Sequence, residues 1–466
     1  MTSSLRVLTL NTFGLPDMIT RRVYAKYPRN RPSRTARMAA IADRLHSYDI
    51  VCLQEVWMNV DQVFFQDWGA ANGLSYSHYT RAGPLVGTGI LILSRLPIVA
   101  TAFHRFSLNG HPQRVLHGDW YAAKGVAMFE LDGSEMGVGR VLVYSSHLHA
   151  QYERADEYEA HRVAQAYEMI QFVSATAIGA NLVLVMGDMN APPASLVYDV
   201  LVNGGRLQLT DAWAAANGDE SPGGMTIPDD IGFPRRIDYV FFADPADALE
   251  LASCRVVMNE WFADLPGSAK DMLSDHFGVA ARLVIKARRT RELAPPRTPS
   301  PPRHSIAAAS PRLFSPVRQP ATPSKSPGPL ARTRLMERMA ATYQPDLVQP
   351  AGVSSTVQLR LVKHMTQVLR HGLRDAELRR DRNKRLVVLY LLVAVVVLFS
   401  LLVAALADVG TRLFLLALWT TCAVAVIYHA AQGYLICTAE THAFKELITR
   451  LRAVYWIRGD WPDEPY

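Results

Sequence analysis

The chain has 466 residues, 49% of them hydrophobic, which is enough for one large domain with accessory segments. Its net charge of +7 is unevenly spread: residues 1–285 carry 23 Lys and Arg against 30 Asp and Glu, whereas residues 286–385 carry 21 against 6. Because a nucleic-acid-binding domain gathers positive charge on its binding face, the acidic N-terminal part argues against a nucleic-acid partner. The four cysteines form no CxxC motif or close pair, which predicts reduced thiols in a cytosol-facing protein.

Short apolar runs alternate with helical patterns from residue 5 to about residue 284. The predicted strands are residues 5–10, 50–53, 88–94, 125–131, 141–145, 182–186, 236–242 and 279–284. Residues 34–47 and 157–175 have the apolar spacing of amphipathic helices. We therefore expect an α/β (α+β) fold for residues 1–285, in which a two-layer β-sandwich is flanked by helices.

The rest of the chain changes character several times. Residues 286–354 are rich in Pro, Ser and Arg, which predicts a disordered linker. Residues 355–385 predict a basic juxtamembrane helix that either lies in solvent or contacts anionic lipid headgroups. Residues 386–407 and 413–437 are apolar enough to cross a hydrocarbon core of roughly 30 Å as a hairpin, with a buried helical pair as the alternative. Lys and Arg flank the hairpin on both sides, so the N-terminal domain and the tail (residues 438–466) should both face the cytosol.

Polar residues follow or interrupt the apolar runs in six sequence blocks. The blocks are LNTFGLP with Asn11, VCLQEVW with Glu55, SSHLH with His147, MGDMN with Asp188 and Asn190, RIDYV with Asp238, and LSDHF with Asp275 and His276. Strand ends that gather at one edge of a sandwich would bring these side chains together. Each block alone is weak, because Asp-His and Gly-Asp-x-Asn are common turn chemistry. The ordered set over about 270 residues predicts one site.

The side chains in these blocks suit metal-assisted hydrolysis. Carboxylate and amide oxygens without cysteine ligands favour Mg²⁺ or Mn²⁺ over zinc. Such a cation stabilises negative charge on a phosphodiester, and an Asp–His pair can take a proton from water. No Ser or Cys nucleophile signature occurs, so direct attack by water is expected.

The ordered blocks resemble the endonuclease/exonuclease/phosphatase superfamily, which includes pancreatic-type deoxyribonuclease and the abasic-site endonucleases. The resemblance implies a deoxyribonuclease-like fold with Glu55 as the principal magnesium ligand. It places Asn11 and Asp275 beside that ligand.

The same resemblance implies the roles of the remaining site residues. His276 corresponds to the general base, and Asp238 corresponds to the residue that orients it. Asp188 and Asn190 correspond to the pair that positions the nucleophile and the phosphate, and His147 to a histidine that binds a phosphate oxygen.

Within this superfamily the chain is more similar to the neutral sphingomyelinases and the fungal inositol phosphosphingolipid phospholipases C. The similarity lies in HGDWYAAKG at 117–125, HLHAQY at 147–152, AHRVAQAYE at 160–168 and the C-terminal hairpin. It implies that Asp119 and Lys124 belong to a phosphate-loop-like segment in which Lys124 contacts the substrate phosphate. The alternative is a plain salt bridge on the surface.

The resemblance implies a Mg²⁺-dependent, phospholipase C-type hydrolase that converts a phosphosphingolipid to ceramide and a phosphorylated headgroup. The alternatives are a membrane-anchored nuclease, an inositol phosphatase of the same superfamily, and a non-enzymatic scaffold. We expect a sphingolipid substrate, anionic phospholipids at the basic linker, and an endoplasmic reticulum or mitochondrial membrane. The headgroup (choline or inositol phosphate) and the oligomeric state, with a dimer as one option, stay open.

Overall fold

The computed structural model describes residues 4–19, 33–82, 87–152, 155–218, 224–227, 235–259, 272–286, 355–403 and 408–456. Apart from Lys286, the predicted linker of residues 286–354 lies outside the described residues. The same holds for residues 404–407 of the first predicted span and residues 457–466 of the predicted tail.

The N-terminal part forms two six-stranded mixed sheets that pack face to face. In chain order the strands are β1 (Ser4–Asn11), β2 (Ile50–Gln54), β3 (Tyr76–Tyr79), β4 (Leu91–Ser94), β5 (Ile98–Arg105), β6 (Gly125–Gly133), β7 (Gly139–His147), β8 (Leu182–Asp188), β9 (Thr210–Asp211), β10 (Asp238–Ala243), β11 (Leu249–Val257) and β12 (Gly278–Ile285). The first sheet has the order β11-β12-β1-β2-β4-β3, and the second has the order β5-β6-β7-β8-β10-β9.

The described part of the chain also contains nine α-helices. They are α1 (Arg34–Ala42), α2 (Asn59–Ala71), α3 (Asp119–Ala122), α4 (Glu159–Thr176), α5 (Leu196–Asn203), α6 (Ala212–Asn217), α7 (Ser355–Val403), α8 (Val409–Ala430) and α9 (Cys437–Trp456), with a π-helical segment at Ala431–Ile436. One apolar cluster joins α1 and α2 to the first sheet, and another joins α4 and α5 to the second. The predicted sandwich with flanking helices is confirmed.

The inner strands are apolar on both faces because each is buried on both sides. In β2, Ile50 and Cys52 face the opposite sheet, whereas Val51 and Leu53 face the helices. Such a strand reads as a continuous apolar run rather than an alternating one. β1 and β2 are parallel, as are β7 and β8, so the carboxyl ends of all four strands lie at the edge where the polar residues of the sequence blocks begin.

Two predicted elements are shorter than the sequence pattern suggested. The helix predicted over residues 34–47 ends at Ala42 and is followed by a separate 3₁₀ turn at Leu45–Ser47. The strand predicted from residue 88 begins only at Leu91. The Thr88 hydroxyl donates to the carbonyl of Thr80 and accepts from the amide of Ile90, which forms a turn in place of the strand.

The predicted juxtamembrane helix and the first predicted span form one unbroken helix, α7. Its N-terminal half packs on the sandwich, with Val362, Met365 and Leu369 buried in the cluster that contains α4 and α5. The sequence left two environments open for this helix, solvent and lipid headgroups, and neither accounts for an apolar face that is buried against the sandwich. Beyond Leu386 the apolar side chains of α7 and those of α8 mostly face outward, and 18-residue windows reach mean hydropathies of 3.2 and 1.9. The two helices are therefore candidate membrane spans.

Candidate active site

The site centres on an amide that bridges the two sheets. Asn11 ends β1, Glu55 follows β2, and Asp188 ends β8 of the opposite sheet. The Nδ2 of Asn11 donates to Glu55 Oε1 at 3.2 Å and to Asp188 Oδ2 at 3.1 Å. Asn11 and Asp188 are each about 1% exposed, so these contacts form away from bulk water. The structure thus brings residues from three of the six blocks into direct contact.

A histidine between two carboxylates lies next to this bridge. Asp238 lies directly opposite Asp188 in the antiparallel pairing of β10 with β8. The Nδ1 of His276 is 2.8 Å from Asp238 Oδ2, and its Nε2 is 3.7 Å from Asp188 Oδ2. The Asp238 contact favours a proton on Nδ1, which leaves Nε2 as the acceptor when the ring is neutral. Burial opposes the charged ring, but Asp238 and Asp188 raise the pKa of His276 well above its usual value.

A second histidine approaches Asp188 and Glu55. The Nε2 of His147 lies 3.4 Å from Asp188 Oδ2 and 4.0 Å from Glu55 Oε1. Burial, supported by the charge of Lys124, lowers the pKa of His147 to about 3. Its Nδ1 is buried and has no hydrogen-bond partner in the described part of the chain. His147 is therefore a neutral imidazole at physiological pH.

Lys124 and Asn190 meet at one backbone carbonyl. Both donate to the carbonyl of Leu148, Lys124 Nζ at 3.0 Å and Asn190 Nδ2 at 3.0 Å. Lys124 Nζ also lies 2.8 Å from Asp119 Oδ1, and the two residues are 3% and 6% exposed, so a surface salt bridge does not describe them. Burial would raise the pKa of Asp119, but Lys124 and His149 hold it well below its usual range.

Backbone strain is concentrated at this site. Four non-glycine residues with positive φ are either site residues or near neighbours of one: Phe13 at 49°, Glu55 at 60°, Ala123 at 48° and Asn190 at 47°. Each such conformation costs about 1–3 kcal/mol and persists only where the surrounding structure enforces it. Gly14 shows how close the packing is, since a Cβ there would lie 2.2 Å from the carbonyl oxygen of Glu55.

The residues fit an oxygen-preferring divalent cation. Burial, followed by the negative charge of Asp275, raises the pKa of Glu55 to about 7. A positive charge added next to Glu55 would therefore stabilise its ionised form. Asp188, Asp238 and His276 also offer ligand atoms within 4.8 Å of one another. A cation held by these carboxylates would stabilise their ionised forms and lower the raised pKa of His276.

Sequence reasoning missed three supporting contacts. The Ser274 hydroxyl donates to the carbonyl of Asn11 at 2.6 Å and accepts from the amide of His276 at 3.2 Å, joining the last block to the first. Trp57 Nε1 donates to Glu55 Oε2 at 3.2 Å. The Thr226 hydroxyl accepts from the amide of Asp238 at 3.2 Å. Ser274 and Trp57 lie inside the quoted blocks, whereas Thr226 carries no signal in the sequence.

A second buried polar cluster joins the C-terminal helices to the sandwich. The Nε2 of His161 lies 3.3 Å from Glu440 Oε1, and the Nδ1 of His111 lies 3.9 Å from the same oxygen. This geometry could suit a metal ion. However, the guanidinium of Arg379 already contacts that oxygen at 2.6 Å and supplies the positive charge. We therefore interpret the cluster as an ion pair that holds α9 against the sandwich.

The chain matches known proteins over the part that carries the site. A model described as the Endonuclease/Exonuclease/phosphatase family matches residues 8–276. A Caenorhabditis elegans protein, provisionally named a neutral sphingomyelinase, is 33% identical over 61% of this chain and 67% of its own length. A Schizosaccharomyces pombe protein named inositol phosphosphingolipids phospholipase C is 32% identical over 60% of this chain and 58% of its own length.

The matched regions are partial. The chain spans between 42% and 67% of the length of these and related curated proteins. Among solved structures, a Staphylococcus aureus beta toxin aligns over 59% of this chain and 99% of its own, with 17% identity and a TM-score of 0.46.

Proposed function

The chain belongs to the endonuclease/exonuclease/phosphatase family, and on that premise we propose that it hydrolyses a phosphodiester bond in a phosphosphingolipid. The observation that carries the proposal is the buried Asp238–His276 pair, whose free ring nitrogen points toward Asp188 beside Glu55. The names of the relatives support the lipid class. The net negative charge of residues 1–285 argues against a nuclease.

His276 would act as the general base. Its Nε2 takes a proton from water, and Asp238 holds the ring in the required tautomer and orientation. The water oxygen then bonds to phosphorus as the bond from phosphorus to the ceramide oxygen breaks. The ceramide oxygen takes up a proton from solvent and His276 returns its own proton to solvent, so the products are ceramide and a phosphorylated headgroup.

The remaining polar groups would bind and orient the phosphate. Asn190 and Lys124 converge on the carbonyl of Leu148, so a phosphate oxygen nearby could accept from both side chains. His147 is neutral and can donate one hydrogen bond without adding charge. Asp188 contacts both Asn11 and His276, which suits a role in positioning the attacking water. These contacts would stabilise the charge that develops at phosphorus.

Glu55, Asp275 and Asn11 would hold Mg²⁺, or Mn²⁺ in its place. When bound, that cation supplies Lewis-acid stabilisation of the phosphate and the departing oxygen. Membrane attachment completes the proposal. We place α7 and α8 across an intracellular bilayer of the endoplasmic reticulum or mitochondria, with the sandwich in the cytosol and anionic phospholipids beside the basic segment.

The test is hydrolysis by the purified full chain in mixed micelles, with Mg²⁺ or with a chelator. Sphingomyelin, an inositol phosphosphingolipid and plain DNA are offered separately. We expect release of ceramide from a sphingolipid, and a loss of kcat of about 10²- to 10⁴-fold in His276→Ala. The control is His46→Ala, which removes an exposed histidine. Cleavage of DNA without sphingolipid hydrolysis, or normal turnover by His276→Ala, would contradict the proposal.

A further inference from the structure

Two large apolar side chains are exposed beside the candidate site. Val115 is 64% exposed and Leu116 is 81% exposed, and both lie in the 3₁₀ turn Val115–His117 between β5 and α3. Single exposed apolar residues are ordinary on protein surfaces. These two are adjacent in sequence, and Asp119 of the candidate site follows three residues after Leu116.

This turn lies close to the point where α7 becomes apolar. Gln113 lines a cavity of about 360 Å³ together with Arg382, Leu386 and Tyr428. Leu386 is the first residue of an uncharged run of 22 residues, and Arg382 precedes it at the expected level of the lipid headgroups. The exposed pair follows Gln113 by only two and three residues, so it lies near the same level.

The turn is also fixed to the candidate site. The His117 ring stacks on Tyr152 with centroids 4.0 Å apart, and its Nδ1 lies 2.9 Å from the hydroxyl of Tyr158. The hydroxyl of Tyr152 donates to Asp119 Oδ2 at 3.1 Å. The position of the exposed pair is therefore coupled through aromatic side chains to the carboxylate that holds Lys124.

We propose that Val115 and Leu116 form a membrane-inserted tip, which dips into the bilayer that α7 and α8 cross. The inference rests on the bilayer placement in the proposed function and adds a contact surface to it. The occupant is the bilayer itself, because the tip adjoins the start of an apolar span. Burial of both side chains at the boundary between headgroups and acyl chains is favourable. It would hold the catalytic edge at the depth of lipid phosphates.

The direct test measures depth. The full chain in phosphatidylcholine vesicles carries an environment-sensitive fluorophore at Leu116→Cys, and the matched control carries it at Ile178→Cys. Ile178 is 77% exposed and lies just after α4, before the start of β8 and so away from the catalytic edge. We expect brominated acyl chains to quench the label at position 116 and not at position 178. Equal quenching by an aqueous iodide quencher at both positions would overturn the proposal.

The second test separates the tip from the chemistry. Leu116→Glu and Ile178→Glu are assayed on sphingomyelin in vesicles and on a water-soluble phosphodiester. We expect Leu116→Glu to lose about tenfold or more on vesicles, a difference of about 1.4 kcal/mol, while keeping its rate on the soluble substrate. Ile178→Glu should keep both rates. Equal losses on both substrates, or none on vesicles, would contradict the tip. If the native chain hydrolyses neither substrate, the proposed function fails, and quenching alone decides the tip.

Discussion

At the scale of single residues, the Asp238 carboxylate defines the state of His276. Asparagine has nearly the same shape but can present an N–H to Nδ1, which favours the wrong tautomer. We expect Asp238→Asn to lower kcat by about 10²- to 10⁴-fold with little change in the circular dichroism spectrum. The control is Asp247→Asn, because the Asp247 side chain is 90% exposed. Unchanged turnover in Asp238→Asn would remove this residue from the mechanism.

A substitution at Glu55 tests the metal-binding role of this residue separately from proton transfer by His276. It is held by Asn11 and Trp57 and has a raised pKa because of burial and Asp275. We expect Glu55→Gln to weaken Mn²⁺ binding more than about tenfold, since loss of even an indirect supporting contact costs about 10- to 100-fold in metal affinity. Electron paramagnetic resonance of free Mn²⁺ measures this without any turnover. Asp238→Asn is the comparison and should bind Mn²⁺ more tightly than Glu55→Gln does.

At the scale of elements, the sequence located the inner strands because burial on both faces leaves a plain apolar run. The polar residues that end those runs, such as Asn11 and Asp188, could therefore be located too. Helix α2 was missed because Asp61 and Gln62 occupy two of its buried positions, so the sequence lacks the regular apolar spacing of an amphipathic helix. Asp61 is buried there as the partner of Arg34 in an ion pair. The strand β5 was missed because most of its residues are exposed. The burial of Lys124 was missed because it depends on loops that are distant in sequence.

Gly187 allows β8 to reach the catalytic edge. Its φ is 145°, and a Cβ there would lie 1.9 Å from the carbonyl oxygen of Ser146 in β7. We expect Gly187→Ala to lower the free energy of unfolding by about 2–4 kcal/mol, combining backbone strain with overpacking. Gly218→Ala is the matched control, because φ is 86° there but none of the residues that the structure describes has an atom within 4 Å of a Cβ. Denaturant unfolding that gives equal losses for both variants would contradict the steric explanation.

At the scale of the whole molecule, α7 and α9 are part of the folded core, although 178 residues separate the end of α4 at Thr176 from the start of α7 at Ser355. Gly372 marks the closest approach: a Cβ there would lie 2.6 Å from Ala160 Cβ and 2.6 Å from Phe444 Cζ. The sequence could not reveal this contact, because the apolar face of α7 is also what a membrane-surface helix would show.

We expect Gly372→Leu to separate the helices and lower the free energy of unfolding by about 1–3 kcal/mol. Hydrogen exchange at α4 should increase in the same variant, because α4 loses its cover. His371→Leu places the same leucine side chain at the neighbouring position, where the native side chain is 70% exposed, and should leave both measurements unchanged. Equal exchange rates in the two variants would show that Gly372 is not a close contact.

The buried contact between the C-terminal helices and the sandwich, which includes His111, also makes the free energy of unfolding depend on pH. Burial lowers the pKa of His111 to about 3, an effect strengthened by His161 and Arg379 and opposed by Glu440. An unfolded histidine titrates near 6.5, so between about pH 6.5 and pH 3 the unfolded chain binds a proton that the folded chain does not. The contribution of the neutral histidine to the free energy of unfolding is therefore fully present above about pH 6.5. Below that pH the free energy of unfolding falls by up to about 1.4 kcal/mol per pH unit for each such histidine.

Burial lowers the pKa of His149 to about 3 as well, so at least two histidines contribute to this loss. His111→Phe keeps a ring against Tyr158 but removes one titrating group. We expect its melting temperature to fall less between pH 7 and pH 5 than that of the native chain, because the unfolded state gains one proton fewer. The control His46→Phe removes an exposed histidine and should keep the native slope. If the melting temperatures of His111→Phe and the native chain fell equally between pH 7 and pH 5, His111 would not be buried in its neutral form.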